Sequence, residues 1–128
     1  MSEEKKVTQI HPEINETELA AAEAEAENSP SVYVHEFSKP FKWEGKSYDK
    51  LTFDFESLTG QDSLDIENEM LALGKTLIAP EFSGEYLLRM AARACTDKLG
   101  VDVLKHLPLA HYNRIRNRAR SFLLRSEL

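Results

Sequence analysis

Val32-Tyr33-Val34-His35-Glu36-Phe37, then Pro40-Phe41-Lys42-Trp43-Glu44-Gly45-Lys46, then Tyr48-Asp49-Lys50-Leu51-Thr52-Phe53-Asp54-Phe55, is the stretch that decides the fold. It is dense in β-branched and aromatic residues, which fit a pleated, half-buried surface. In its second half Leu51, Phe53 and Phe55 alternate with Thr52, Asp54 and Glu56. A period of two puts every second side chain on the same face, and Glu44-Gly45-Lys46 supplies the turn between two such runs, so the segment reads as a β-hairpin. Pro40 has no amide hydrogen to give to a ladder, which places it at an edge or a bulge of the first strand.

Toward the C-terminus the period lengthens. After Ser57-Leu58-Thr59-Gly60, the apolar residues Ile66, Met70, Leu73 and Leu77 recur at helical spacing, with Asp62, Asp65, Glu67 and Glu69 mostly on the other sides. This predicts an amphipathic helix with acids near its start, where the macrodipole favours them. Gly74 ends that helix or lies inside it, and Pro80-Glu81-Phe82 reads as a loop. Ser83 is a plausible N-cap for a second helix carrying Leu87, Ala91 and Ala94 beside Leu88, Cys95 and Leu99, with Gly100 as its stop. Asp102 is expected to cap a short turn through Leu107. Pro108 then opens a last helix whose apolar stripe is Tyr112, Ile115, Ala119, Phe122 and Leu123. The expected fold class is α+β and helix-dominated, an N-terminal β-hairpin followed by three to four packed α-helices.

Toward the N-terminus the hairpin gives way to residues 1–31, which hold few large apolar side chains and no aromatic ring. The run Ala20-Ala21-Ala22-Glu23-Ala24-Glu25-Ala26-Glu27 has no face to bury, so the segment is expected to be a disordered acidic arm with at most a fraying helix over Glu16 to Glu27. The domain proper is expected over residues 32–128. With 128 residues there is room for one such domain.

Charge divides the chain into poles. Residues 1–31 carry eight Glu against Lys5 and Lys6, residues 105–128 carry Lys105 and five Arg against Glu127, and the chain as a whole is at −6. Such asymmetry either steers association with a charged partner or lets one end of the chain meet the other. No run of apolar residues approaches the roughly 18 to 20 needed to span a bilayer, and Met1-Ser2-Glu3-Glu4 lacks a signal-peptide core, which together predict a cytosolic protein away from membranes. The single Cys95 cannot form an internal disulfide.

Catalytic patterns are sparse. The five glycines stand alone, with no phosphate-binding loop. Cys95 with His106 or His111 is the one conceivable nucleophile and base, but Cys95 falls on the apolar side of its helix, where cysteine behaves as a small hydrophobe. His106 and His111 are five apart across Pro108, unlike the i, i+4 spacing of a zinc helix, and read as surface histidines. The acids at 62–69 lack a calcium-loop pattern and read as a solvated helix face. Tyr33, Phe37, Phe41, Trp43, Tyr48, Phe53 and Phe55 are assigned mainly to core packing, with one or two exposed to a partner. No catalytic residue, cofactor or metal site is assigned.

The strongest local anomaly is the final helix, where Arg114, Arg116, Arg118, Arg120 and Arg125 have no acid among them. At 100° per residue Arg114, Arg118 and Arg125 line one flank and Arg116 and Arg120 another. An acidic counterpart is expected: the 62–69 helix, the acidic arm, an acidic protein surface or a phosphate backbone. Aromatic residues and Arg are enriched in binding hot spots, so Trp43 and Tyr86 join Arg114, Arg116, Arg118 and Arg120 as candidate partner-binding residues.

In the order of its features the chain resembles the tail assembly chaperones of long-tailed bacteriophages. The likeness runs from Phe37-Ser38-Lys39-Pro40-Phe41-Lys42-Trp43-Glu44-Gly45-Lys46-Ser47-Tyr48-Asp49-Lys50-Leu51-Thr52-Phe53 through Leu58-Thr59-Gly60-Gln61-Asp62 and Tyr86-Leu87-Leu88-Arg89-Met90-Ala91-Ala92-Arg93-Ala94 to Arg120-Ser121-Phe122-Leu123. It covers roughly residues 34–125 and leaves the acidic arm outside. The resemblance implies a non-enzymatic factor of the host bacterial cytoplasm that binds the tape measure protein, with the major tail protein as a possible further partner, and that is absent from the mature virion. It also implies a short form that pairs with itself or with a frameshift-extended form. The main alternative from another class is a small phage nucleic-acid-binding or regulatory protein that uses the Arg-rich helix.

Overall fold

A computed structural model describes residues 31–127, and the expectation of a disordered arm falls on residues outside that range. The expected hairpin is present: strand β1 (Val32–Trp43) pairs antiparallel with β2 (Lys46–Asp54). The turn holds two residues, Glu44 and Gly45, with φ of 48° and 82°. Positive φ at both positions makes the turn follow the right-handed twist of the strands, and glycine adopts it without steric cost whereas Glu44 does not. Pro40 lies at the irregularity the sequence called for. Glu36 pairs with Lys50 and Phe41 with Tyr48, so Phe37, Ser38, Lys39 and Pro40 stand opposite Asp49 alone.

Four helices follow among the described residues: α1 (Gly60–Ala72), α2 (Gly84–Ala94), α3 (Val101–Leu104) and α4 (Leu109–Ser126). Short 3-10 turns at Phe55–Ser57 and Pro80–Phe82 introduce α1 and α2. Leu51, Phe53 and Phe55 of the hairpin are buried, as their alternation predicts, and meet Ile66 and Met70 of α1, Leu87, Ala91 and Ala94 of α2, and Ile115 and Ala119 of α4. Helix α2 sits at the centre, in contact with α1, α3, α4 and β2. That position explains why seven of its eleven residues are buried, including Arg89.

Two helix ends differ from expectation. Helix α1 stops at Ala72, so Leu73 is exposed and Leu77 lies beyond the helix instead of extending its stripe. Gly74, at φ 73°, closes a Schellman motif in which the amides of Gly74 and Lys75 donate to the carbonyls of Leu71 and Met70 at 3.0 and 2.8 Å. Helix α2 stops at Ala94, short of Gly100, because Cys95 turns extended and bridges Phe53 of β2. Thr96 then donates its amide to the Thr52 carbonyl at 2.8 Å, and the Thr52 amide donates to the Asp97 carboxylate at 3.0 Å. These bonds cover part of the free edge of β2, which would otherwise offer unpaired backbone groups to another chain. Gly100 becomes the N-cap of α3, ahead of Asp102. Ser83 caps α2 as expected, its hydroxyl accepting from the Tyr86 amide at 3.1 Å.

Candidate interaction surfaces

The acids of α1 are engaged, and not by the final helix. Arg93 of α2 reaches Asp62 at 3.0 Å and Glu69 at 2.8 Å, and Arg89 reaches Glu69 at 3.2 Å and Glu85 at 2.8 Å. The reading of residues 62–69 as a solvated face is corrected in this respect: Asp62, Asp65 and Glu69 form an ion-pair seam between α1 and α2, while Glu67 stays exposed. The Asp62 carboxylate also accepts from the Thr59 amide at 2.8 Å, capping α1. That backbone bond and the Arg93 guanidinium hold its pKa below the usual carboxylate range. The sequence contains the two faces of this seam but not their pairing. Arg89 and Arg93 stand at i, i+4 on a predicted helix, and Asp62, Asp65 and Glu69 share one face of another.

With α1 occupied, the arginines of α4 find other partners. On one flank Arg116 and Arg120 donate to the carbonyls of Phe82 and Glu81 at 3.4 and 3.1 Å, and the Arg120 guanidinium lies 5.8 Å from the Phe82 ring centre. On the other flank Arg118 lies 4.8 Å from the Tyr33 ring centre, and Arg125 donates to Ser31 Oγ and stands 3.9 Å from Glu56. Arg114 is exposed. Carbonyl oxygens and aromatic faces accept a guanidinium without neutralising it. Among the described residues, Arg114, Arg116, Arg118 and Arg120 therefore have no carboxylate partner. Gly84 lets α4 lie close against α2: a Cβ there would stand 2.5 Å from Tyr112 Oη and 3.6 Å from the Arg116 guanidinium.

The two aromatic candidates part company. Trp43 is half-buried, with its ring 4.8 Å from His106 and 6.3 Å from Phe41, so part of it remains at the surface. Tyr86 is 3% exposed and its hydroxyl is hydrogen-bonded to Ser63 at 2.7 Å, so it is a core residue of α2 and offers no contact surface. Residue type, on which both were chosen, did not separate the two, because it does not tell that α2 is buried on nearly every side.

His35 escaped the sequence reading altogether. It lies on the same face of β1 as Tyr33 and Phe37 and is 1% exposed. Its Nδ1 is 2.7 Å from Tyr33 Oη and its Nε2 is 2.8 Å from His111 Nδ1 of α4. His111 is thus half-buried, not the surface histidine expected, while His106 is exposed. Burial, the His111 ring and the positive charge of Arg114 push the His35 pKa down to about 4. The chain from Tyr33 through His35 to His111 ties β1 to α4. Cys95 packs in the core as a small hydrophobe, and burial raises its thiol pKa, which works against thiolate formation.

A strip of apolar side chains is left uncovered on α1 and the loop after it. Leu64 and Leu71, seven residues apart on one helix face, are 54% and 75% exposed, and Ile78 is 91% exposed; Leu73, 59% exposed, lies about 200° round the helix from Leu71 and outside the strip. Leu71 and Ile78 line a shallow cleft of about 390 Å³ together with Leu77 and Pro80, between Glu67 and Lys75. Large apolar residues gathered in this way mark surfaces that meet another molecule. No helix among the described residues is long and apolar enough to cross a membrane. Compared with protein-family models, with curated proteins and with solved structures, the chain matches none.

Proposed function

We propose that this protein is a non-enzymatic tail assembly chaperone that binds the tape measure protein and keeps its apolar helices covered until the tail tube forms around them. The observation that carries the reading is the exposed apolar line of Leu64 and Leu71 on one face of α1, continued by Ile78 in the cleft it shares with Leu71, with Glu67 and Lys75 beside that cleft. A helix laid along it would meet an apolar line with charged groups at its edge, the common plan of a helix-in-groove contact. The likeness in layout across residues 34–125 supports the same reading, and Trp43 and the arginines of α4 remain candidate secondary contacts. The acids of α1 are taken up by Arg89 and Arg93, so Arg114, Arg116, Arg118 and Arg120 of α4 are available for a different contact.

The test is co-expression with the candidate tape measure protein of the neighbouring genes. Soluble co-elution that is lost in a Leu71→Ser, Ile78→Ser double variant would support the proposal. A tape measure protein equally insoluble with and without this chain would refute it. The nucleic-acid alternative is favoured by four arginines without described carboxylate partners. It requires binding to DNA or RNA that falls steeply with salt, and that Arg114→Gln, Arg118→Gln weakens.

A further inference from the structure

We infer that the flank of α4 bearing Arg114 and Arg118 is the docking surface for the chain's own acidic N-terminal segment, residues 1–30. Three observations converge on this occupant. Among the described residues the flank has no carboxylate beside it, since Arg118 meets the Tyr33 ring and Arg114 is exposed, and α4 itself contains no acidic residue. Residues 1–30 hold eight Glu against Lys5 and Lys6, and the three nearest the domain, Glu23, Glu25 and Glu27, alternate with small alanines. The place where that segment joins the described chain is fixed beside α4. Ser31 accepts from Arg125 through its hydroxyl and from the Phe55 amide through its carbonyl at 2.9 Å.

Reach allows the contact once the chain ahead of Ser31 turns back. Arg114 is eleven residues from Arg125, about 16 Å at the α-helical rise of roughly 1.5 Å per residue. Extended chain covers about 3.3 Å per residue, so beyond a turn at 28–30 roughly five residues span that distance, which brings Glu25 toward Arg118 and Glu23 toward Arg114. Strand β1 leaves Ser31 running back along α4, through Tyr33 at Arg118 to His35 at His111. To follow the same flank the segment before Ser31 would have to turn back, and Asn28-Ser29-Pro30 are residue types common in turns. Docked there, the arm would cover Arg114 and Arg118 against other anions, nucleic acid included. Any acidic partner would first have to displace it.

The proposal stands or falls independently of what binds the apolar strip. The full-length chain, carrying Glu25→Cys on a Cys95→Ser background, is labelled with a nitroxide and its amide resonances are recorded by NMR. At about 0.01 M salt, where the screening length is roughly 30 Å, selective broadening is expected along α4 around Arg114 and Arg118; at about 1 M, where it is roughly 3 Å, the broadening should vanish. Arg114→Gln, Arg118→Gln should abolish it at low salt while leaving the remaining spectrum in place. Absent broadening, or uniform broadening over the domain, would overturn the inference. So would broadening that survives only between a labelled chain and a separate isotopically enriched one, which would make the occupant a second copy.

Discussion

Lowering the pH from 8 toward 4.5 should destabilise this fold through His35, and the size of the effect follows from its environment. His35 is buried, and protonating the pair it forms with His111 more than once would set N–H against N–H across 2.8 Å. Its pKa falls from an ordinary 6.5 to about 4 in the fold, with Arg114 opposing a charge there as well. The unfolded chain therefore binds the proton first. The stability that the neutral ring contributes is complete above about pH 6.5 and is lost as the pH falls between that value and about 4. Linkage gives a loss of about 1.4 kcal/mol at pH 5.5 and about 2.5 kcal/mol at pH 4.5. Urea unfolding followed by far-ultraviolet circular dichroism at these pH values measures it, with His35→Gln as the comparison. Asp62 has a depressed pKa, so its contribution is lost only below the ordinary carboxylate range. The difference between the two chains from pH 8 to 4.5 thus isolates the histidine. A difference that changes by less than about 0.5 kcal/mol over that range would refute the reasoning.

Other perturbations have equally definite outcomes. Arg89→Ala should destabilise by about 2 kcal/mol and by more than Arg93→Ala, because the Arg89 side chain is buried between Glu69 and Glu85; urea midpoints of the two variants decide. Glu44→Asn should stabilise by about 0.5–1 kcal/mol, since Asn tolerates positive φ in a two-residue hairpin turn, and thermal unfolding will show an increase. Leu71→Ser with Ile78→Ser should change stability by less than about 1 kcal/mol while removing partner capture; equal loss of both would make the strip a folding element instead.

The residues that announced themselves in the sequence did so because their constraint is local. The alternation of Leu51, Phe53 and Phe55, the Gly45 turn, the Ser83 cap and Pro108 ahead of α4 each act within a few positions of the chain, so the hairpin-then-helices architecture was legible from residue order. The Arg-rich helix was legible too, as charge without an internal counterpart. What lay beyond reach depended on contacts between distant segments. Only the packed fold decides that Arg89 and Arg93, and not the arginines of α4, meet the acids of α1, that Tyr86 faces inward, and that Cys95 ends α2 by joining β2. The same holds for His35, which sits 76 positions from His111 and reads in the sequence as one polar residue within an apolar strand. Periodicity tells which face of an element is apolar, but not how many neighbours will cover it. The central place of α2 and the uncovered end of α1 are therefore properties of the tertiary structure alone.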